Sequence, residues 1–339
     1  MIKTPLLGKT LDELTAITTG RGMPSFTGKQ LSEWIYKRRA ISIDEMSNLS
    51  LKNRTLLNEQ YEVGRYLPVE KQVSVDGTVK YLFKTQKNQF IESVFIPEDD
   101  RATLCISSQV GCKMNCLFCM TGKQGFGAQL TAQEILNQYY SIPESEQLTN
   151  IVFMGMGEPL DNIENVLRTL EVLTADYGLG WSPKRITVST IGLIPGMKIF
   201  LEKSTCHLAV SMHSPFDEER LKLMPIQKAH PIHKVLDELR NHDFSKQRRV
   251  SFEYILFNGL NDTLRHAREM VKLLKGIDCR VNLIRYHAIP GIDLKTSDES
   301  KMIAFRDYLT NNGIMTTIRK SRGEDIFAAC GMLSSSKHV

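Results

Sequence analysis

After residue 100 this chain alternates short strand-like runs with amphipathic stretches of helical length, and no other feature limits its fold as strongly. Strand candidates fall at residues 103–107, 150–154, 185–189, 207–211, 250–255, 280–284 and 315–318. Between them, apolar residues at helical spacing predict helices over 131–140, 163–174, 232–241, 264–275 and 299–312. Strands that alternate with helices pair in parallel across helical crossovers, so the expected fold is α/β, a partial β/α (TIM-like) barrel. Functional groups in such barrels gather at the C-terminal ends of the strands.

Two shorter regions precede this core. Residues 10–18, 27–38 and 42–46 have helical periodicity, punctuated by Gly20, Gly22 and Pro24. Trp34 is expected in the core of that small bundle, with Lys37, Arg38 and Arg39 beside it and available to a phosphate backbone. Over 67–96 the period falls to two, with strands expected at 71–75, 79–83 and 90–95 and a hairpin turn at Asp76-Gly77. The expected division is a helical accessory domain (1–66), a β-hairpin extension (67–96), a core ending in a cysteine-bearing loop (97–333) and a short tail (334–339).

A chain of 339 residues buries a large core. Its 42% hydrophobic and 24% charged content is ordinary for a globular protein. No apolar window of about 18 residues is present, so no transmembrane helix is expected. The N-terminus MIKTPLLGKTLDEL lacks the apolar stretch of a secretory signal. Seven cysteines, three of them clustered, fit a reducing cytoplasm better than a disulfide framework. A net charge of +5, from 43 basic and 38 acidic residues, is a weak pointer to nucleic acid.

The cluster is Cys112-Lys-Met-Asn-Cys116-Leu-Phe-Cys119, a C-x3-C-x2-C triplet with no fourth cysteine beside it. Three thiolates can ligate three irons of a [4Fe-4S] cubane and leave the fourth iron open for chemistry. The competing readings are a structural zinc site, for which a second short cysteine pair is missing, and a cluster completed by a distant cysteine. With Phe118 before its last cysteine, the triplet resembles that of the radical S-adenosylmethionine (SAM) enzymes. Downstream, Met154-Gly-Met-Gly157-Glu158-Pro159 follows a strand. Its glycines would admit close backbone approach to a ligand, and Glu158 offers a carboxylate to an amine. The run resembles the motif that holds the SAM amino group in those barrels. Ser189, and Ser211-Met212-His213, present hydroxyls and an imidazole at two further strand ends. Taken alone, each is more often a capping or core group.

Residues 92–112, the triplet, Gly157-Glu158-Pro159 and the segment Arg322-Gly-Glu-Asp-Ile-Phe-Ala-Ala-Cys330 together resemble the RlmN/Cfr family over nearly the whole chain. These are radical-SAM enzymes that methylate adenine in RNA. Pro159 and the Arg322-Gly-Glu-Asp run favour the adenine-C2 (RlmN) branch over the C8 resistance (Cfr) branch.

The resemblance implies 23S ribosomal RNA, before or during ribosome assembly, and transfer RNA as substrates, in an N-terminal domain that helps to bind RNA. It implies one [4Fe-4S] cluster on Cys112, Cys116 and Cys119, two SAM molecules per turnover, and flavodoxin or ferredoxin as electron donor. Gly157, Glu158, Ser189, Ser211, Met212, His213 and His287 correspond to SAM contacts.

In the implied mechanism the Cys330 thiolate first takes a methyl group from one SAM. A radical from a second SAM takes hydrogen from that methyl, and the carbon radical adds to C2. Cys105 then attacks the Cys330 sulfur, forming a disulfide that releases product, while Glu92 corresponds to the proton acceptor. That exchange requires two residues 225 positions apart to bring their Cα atoms within roughly 7 Å. Cys206 and Cys279, among apolar neighbours, are expected to be buried bystanders.

His287 departs from the asparagine expected in this branch. The printed sequence also ends nine residues after Cys330 without a basic tail, so RNA grip is expected from the N-terminal domain and from Arg319, Lys320 and Arg322. A non-catalytic iron–sulfur or zinc protein that binds RNA is the alternative of a different class.

Overall fold

The computed structural model describes residues 3–245, 247 and 249–334. All of the expected tail except Ser334 therefore lies outside the described residues.

In the N-terminal unit, β1 (Thr4–Pro5) pairs in parallel with β2 (Tyr61–Glu62), a pair too short to show in the sequence. Between them lie helices Leu11–Thr19, Phe26–Ser32 and Leu51–Asn58, the last unread in the sequence. The first starts at Thr10, whose side chain and that of Glu13 satisfy each other's backbone amides in a capping box. After Ser32 the helix widens into a π turn, Glu33–Lys37, closed by the Arg38 amide on the Glu33 carbonyl (2.9 Å). That insertion corrects the placement of Trp34. Ile35 and Tyr36 take the core positions, while Trp34 sits half-buried at the rim. There it donates to Asn48 Oδ1 (2.6 Å) and lies under the Arg38 guanidinium.

The central sheet has ten strands: β3 (Glu70–Val73), β4 (Val79–Lys84), β5 (Phe90–Glu98), β6 (Arg101–Cys105), β9 (Asn150–Phe153), β10 (Ile186–Thr190), β11 (His207–Ser211), β12 (Val250–Leu256), β13 (Cys279–Arg285) and β14 (Met315–Ile318). The remaining two strands, β7 (Gln109–Gly111) and β8 (Phe126–Gln129), form a separate antiparallel ribbon. From β6 through β9 to β14 the sheet is parallel and in chain order, as expected, and it stays open as a partial barrel. Strands β5, β4 and β3 continue it antiparallel beyond β6, so the extension is part of the same sheet, and β5 runs through residue 97.

Helices Ala132–Tyr140, Ile163–Thr174, Ile232–Arg240, Leu264–Leu273 and Glu299–Asn311 form where periodicity placed them. Helix Ile194–Lys203 had escaped, because Gly196 weakens its pattern. The glycine is required: a Cβ there would stand 2.3 Å from the Leu160 carbonyl oxygen. The N-terminal unit docks on the core through Tyr36 against Tyr140, Arg168 on Glu13 (2.5 Å) and Arg39 on Tyr139 and Ser145 (both 2.8 Å). No helix among the described residues is long and apolar enough to cross a membrane.

Candidate active site

A cavity opens at the C-terminal ends of the parallel strands. Its wall carries Cys112, Cys116 and Cys119, then Gly157, Glu158, Ser189, Ser211, His213 and Glu253 along the strand ends, and Cys330, whose neighbour Gly331 accepts from the Met120 amide (2.8 Å) just after the triplet. A larger groove near Glu164, Arg168 and Cys206 lies toward the other ends of the strands, away from these groups.

The triplet is shaped by the ribbon around it. The Cys112 amide bonds the Gly125 carbonyl (3.0 Å), and Gly111 lies so close that a Cβ there would stand 1.7 Å from that same oxygen. Helix Met120–Gln124, with Cys119 at its N-cap, ends at Gly125, and the Leu117 amide ties the loop to the Leu223 carbonyl (2.9 Å). Phe118 packs edge-on against His213, with ring centroids 4.8 Å apart, inside a small apolar cluster with Phe257 and Tyr286.

Burial pushes all three thiols up, Cys112 to about 12, and the Cys116 thiolate is further disfavoured by Cys119 and Cys112. Three mutually repelling thiolates are a donor set that a cationic iron core fits. No group of three His, Cys, Asp or Glu side chains among the described residues converges as a single-ion site. A cluster asks for thiolates spread around a cube instead.

The glycines of the Gly155–Glu158 loop line the cavity and also admit the chain itself. A Cβ on Gly155 would stand 2.7 Å from the Ile106 carbonyl, and one on Gly157 would stand 2.5 Å from Gln109 Cβ. The loop is thereby pressed onto residues 106–109, and Glu158 is aimed from it. Its carboxylate accepts from the Leu160 amide (3.0 Å), Thr190 Oγ1 (2.7 Å) and the Ile191 amide (3.0 Å). A carboxylate has about four acceptor positions, so Oε2 keeps one for a ligand ammonium. Burial outweighs these three neutral donors and pushes the carboxyl up to about 7.

Ser189 and Ser211 reach the cavity, but Met212 is fully buried in the main core and not on the cavity wall. His213, in the left-handed region at φ 56°, accepts from the Ile255 amide at Nδ1 (3.0 Å). Burial, with Arg220 nearby, pushes this imidazole down to about 3, so it is neutral. Arg220 is itself fully buried and holds the strand-end loops through the Met212, Ile191 and Ser211 carbonyls. His287 lies off the cavity wall. Its ring bridges Ser321 Oγ (3.2 Å) and Glu324 Oε1 (3.3 Å), both on the segment leading to Cys330.

Cys330 stands at the tip of a turn closed by the Met332 amide on the Ala329 carbonyl (3.0 Å), with Gly331 at φ 84°. The thiol is open to the cavity, while Ala328, Ala329, Met332 and Leu333 around it are buried. Surrounding protein pushes the thiol up despite that opening, and Arg319 pulls it down. Cys105 ends β6, buried and pushed up to about 12, first by burial and then by the charge of Cys330. The two cysteines are thus within electrostatic reach and, like the other five, unlinked. Cys206 and Cys279 are buried, as expected.

Two charged residues are held by close partners. Glu92 lies inside β5, within the strand expected over 90–95, and is buried. It is paired with Lys80 Nζ (3.1 Å) and accepts from the Ser334 amide (2.9 Å). Arg319, expected as an RNA contact, is half-buried. It lies beside Glu253 (3.7 Å) and Met154 Sδ (3.6 Å), while Lys320 is exposed.

Glu253 was missed altogether. One of its oxygens accepts from Asn282 (2.7 Å), and the other is buried without a hydrogen bond at the cavity wall. Its signal was present in Val250-Ser-Phe-Glu253-Tyr-Ile-Leu, a lone charge on the same face as Ser251 in a strand otherwise apolar.

The profile of the Radical SAM superfamily matches residues 106–295, and that of the ribosomal RNA large subunit methyltransferase N-terminal domain matches residues 4–63. The crystal structure of a radical SAM methyltransferase from Sphaerobacter thermophilus superposes with a TM-score of 0.93 at 36% identity, covering 98% of this chain and 100% of that one. Fold and cavity together are those of a radical-SAM enzyme, and the chain belongs to that superfamily. Within it, the "Probable dual-specificity RNA methyltransferase RlmN" of Phocaeicola vulgatus is 64% identical over 99% of this chain and 96% of its own. The dual-specificity RNA methyltransferase RlmN of Syntrophus aciditrophicus is 41% identical over 96% and 94%. The chain is a member of the RlmN family of SAM-dependent RNA methyltransferases.

Proposed function

We propose that this enzyme makes 2-methyladenosine in 23S ribosomal RNA and in transfer RNA, in the cytoplasm, acting on ribosomal RNA before or during ribosome assembly. The observation that carries the proposal is that Cys330 and the triplet line one cavity, with Cys105 close enough to Cys330 for the charge of Cys330 to push its thiol up. C2 of adenine is an electron-poor amidine carbon and does not attack a methyl sulfonium. The methyl must arrive by a protein carrier and a radical step.

Cys112, Cys116 and Cys119 would hold the cluster, and Gly157, Glu158, Ser189, Ser211 and His213 would hold SAM. Glu158 would offer its remaining lone pair to the ammonium, and His213, being neutral, would donate or accept without repelling a cation. When bound, the cluster and SAM supply a methyl group, a hydrogen-abstracting radical and a one-electron sink, after reduction by a flavodoxin or ferredoxin. The Cys330 thiolate takes the methyl and, once that carbon has lost a hydrogen atom, carries it to C2. Cys105 then attacks the Cys330 sulfur, so that a sulfur–sulfur bond forms as the sulfur–methylene bond breaks. Glu92 takes the C2 proton and the freed methylene gains one, so hydrogens balance, and one electron leaves.

The test is mass spectrometry of nucleosides from ribosomal and transfer RNA of strains with and without the gene. 2-Methyladenosine should vanish from both without it. Loss of 8-methyladenosine with 2-methyladenosine intact would overturn the proposal.

A further inference from the structure

The buried ion pair of Lys80 with Glu92 has no place in the chemistry given above, yet it is built with care. Lys80 on β4 stands opposite Val94, and Glu92 on β5 opposite Leu82, so the two are diagonal neighbours on one face of the sheet. Their side chains are 9% and 5% exposed, with Nζ 3.1 Å from Oε1. A lone charge at such a site costs several kcal/mol, so each tolerates burial only because of the other.

The Glu92 backbone is fixed as well. Its carbonyl accepts from Ser107 Oγ (2.5 Å), and that same hydroxyl accepts from the Met156 amide (2.8 Å), which ties Glu92 to the loop carrying Glu158. With the backbone held, the direction of the carboxylate depends on its two remaining partners, Lys80 and the Ser334 amide. The second of these lies four residues past Cys330.

We propose that Lys80 is a positioning residue for the release step, its ammonium compensating and orienting the Glu92 carboxylate so that Glu92 can take the C2 proton. This rests on the reading of Glu92 as the proton acceptor. Burial pushes the Glu92 carboxyl up, and Lys80 pulls it down, helped by the Ser334 amide. Glu70 on β3 works against them, while Ser107 and Met156 present only neutral groups. Without Lys80 the carboxyl rises further and less of it is ionised at neutral pH. The limb of the release rate that climbs with pH must therefore move to higher pH. A rise of one unit slows release about tenfold below the new midpoint.

The experiment uses full-length reconstituted enzyme under anaerobic conditions with SAM, dithionite and large-subunit ribosomal RNA lacking the modification. It compares wild type with Lys80→Met, Lys80→Gln, Lys80→Arg and Glu92→Gln. Methylation of Cys330 without RNA, read by peptide mass, should be unchanged in the Lys80 variants, since it precedes the proton transfer. With RNA, Glu92→Gln should accumulate the covalent protein–RNA adduct at every pH. Lys80→Met and Lys80→Gln should accumulate it at neutral pH and release it as the pH is raised, at least tenfold slower than wild type at neutrality. Lys80→Arg should restore most of the rate. If Lys80→Met does not fold, as absent Cys330 methylation would reveal, Lys80→Gln decides. The proposal is overturned if the Lys80 variants lose stability but release the adduct with the wild-type pH profile while Glu92→Gln traps it. If Glu92→Gln itself releases normally, the reading of Glu92 fails and this proposal with it.

Discussion

The two walls of the cavity are built by opposite means. The triplet wall is local: Cys112, Gly125, Gly111 and Helix Met120–Gln124 lie within a few residues of one another, and the ribbon β7–β8 closes the loop on itself. The Cys330 wall is held from far away. Ser74 Oγ donates to Asp325 Oδ1 (2.5 Å), the Gly323 amide to Asp76 Oδ2 (3.0 Å), Thr121 Oγ1 to the Leu333 carbonyl (2.7 Å) and the Ser334 amide to Glu92. Both ends of the arm are pinned, and at its tip the Met120 amide holds the Gly331 carbonyl (2.8 Å) while Phe327 and Cys330 themselves are exposed. Under the proposed mechanism the first wall holds a metal cluster and must not move, whereas Cys330 as methyl carrier has to meet several partners in turn. The contrast in construction suits that contrast in task.

Cysteine variants should break the comparison hardest. Cys330→Ala should abolish product while leaving iron and sulfide content unchanged, because it removes the carrier thiol and none of the three thiols that would ligate iron. Cys105→Ala should leave the covalent protein–RNA adduct trapped, visible as a species on denaturing gels, and normal turnover in that variant would remove Cys105 from the release step. Gly111→Ala comes next. A Cβ 1.7 Å from the Gly125 oxygen cannot be accommodated, so the ribbon must open and cluster content should fall severalfold, measured as iron and sulfide per chain.

A pH measurement probes the floor between the walls. Glu158 has its carboxyl raised to about 7 from an ordinary value of 4.5, so between those values the folded chain binds more protons than the unfolded one. Stability of the cofactor-free protein should thus be fully present at low pH and decline as pH rises through about 7. The decline is on the order of 3 kcal/mol at most. Glu158→Gln should flatten that slope in melting experiments.

Smaller effects belong to the arm. Asp325→Asn, which weakens a tie to the β3–β4 turn, should speed proteolysis near residues 320–328 with little change in cluster content. Smallest of all, His287→Asn should alter activity only a few fold, since it removes a bridge between Ser321 and Glu324 and leaves the cavity wall intact.

Much of this was legible in the sequence. Seven parallel strands showed as apolar runs, the triplet as a spacing, and Cys105 and Cys330 through family likeness. What escaped was whatever depends on contacts distant in sequence. Lys80 and Glu253 read as ordinary polar positions in strands, because alternation does not reveal that both faces of those strands are covered. Trp34 was misplaced by a π turn, which shifts every later side chain around the helix without changing the residue pattern. That the Arg319 guanidinium lies beside Glu253 could not be read, because no sequence rule tells which partner an arginine turns toward. The glycines of the Gly155–Glu158 loop were read for a ligand alone, although the close approach of residues 106–109 needs them as well.

The ties between Ser334 and Glu92 and between Asp325 and Ser74 also bear on how the enzyme is born. A ribosome delivers residues 74–92 well before residues 325–334, and partners separated by 242 to 251 positions cannot meet until almost the whole chain has emerged. Until then Glu92 lacks its amide cap and Cys330 does not exist. A prematurely terminated chain could build the sheet and the triplet loop, yet under the proposed mechanism it would lack the methyl carrier through which it binds itself covalently to RNA.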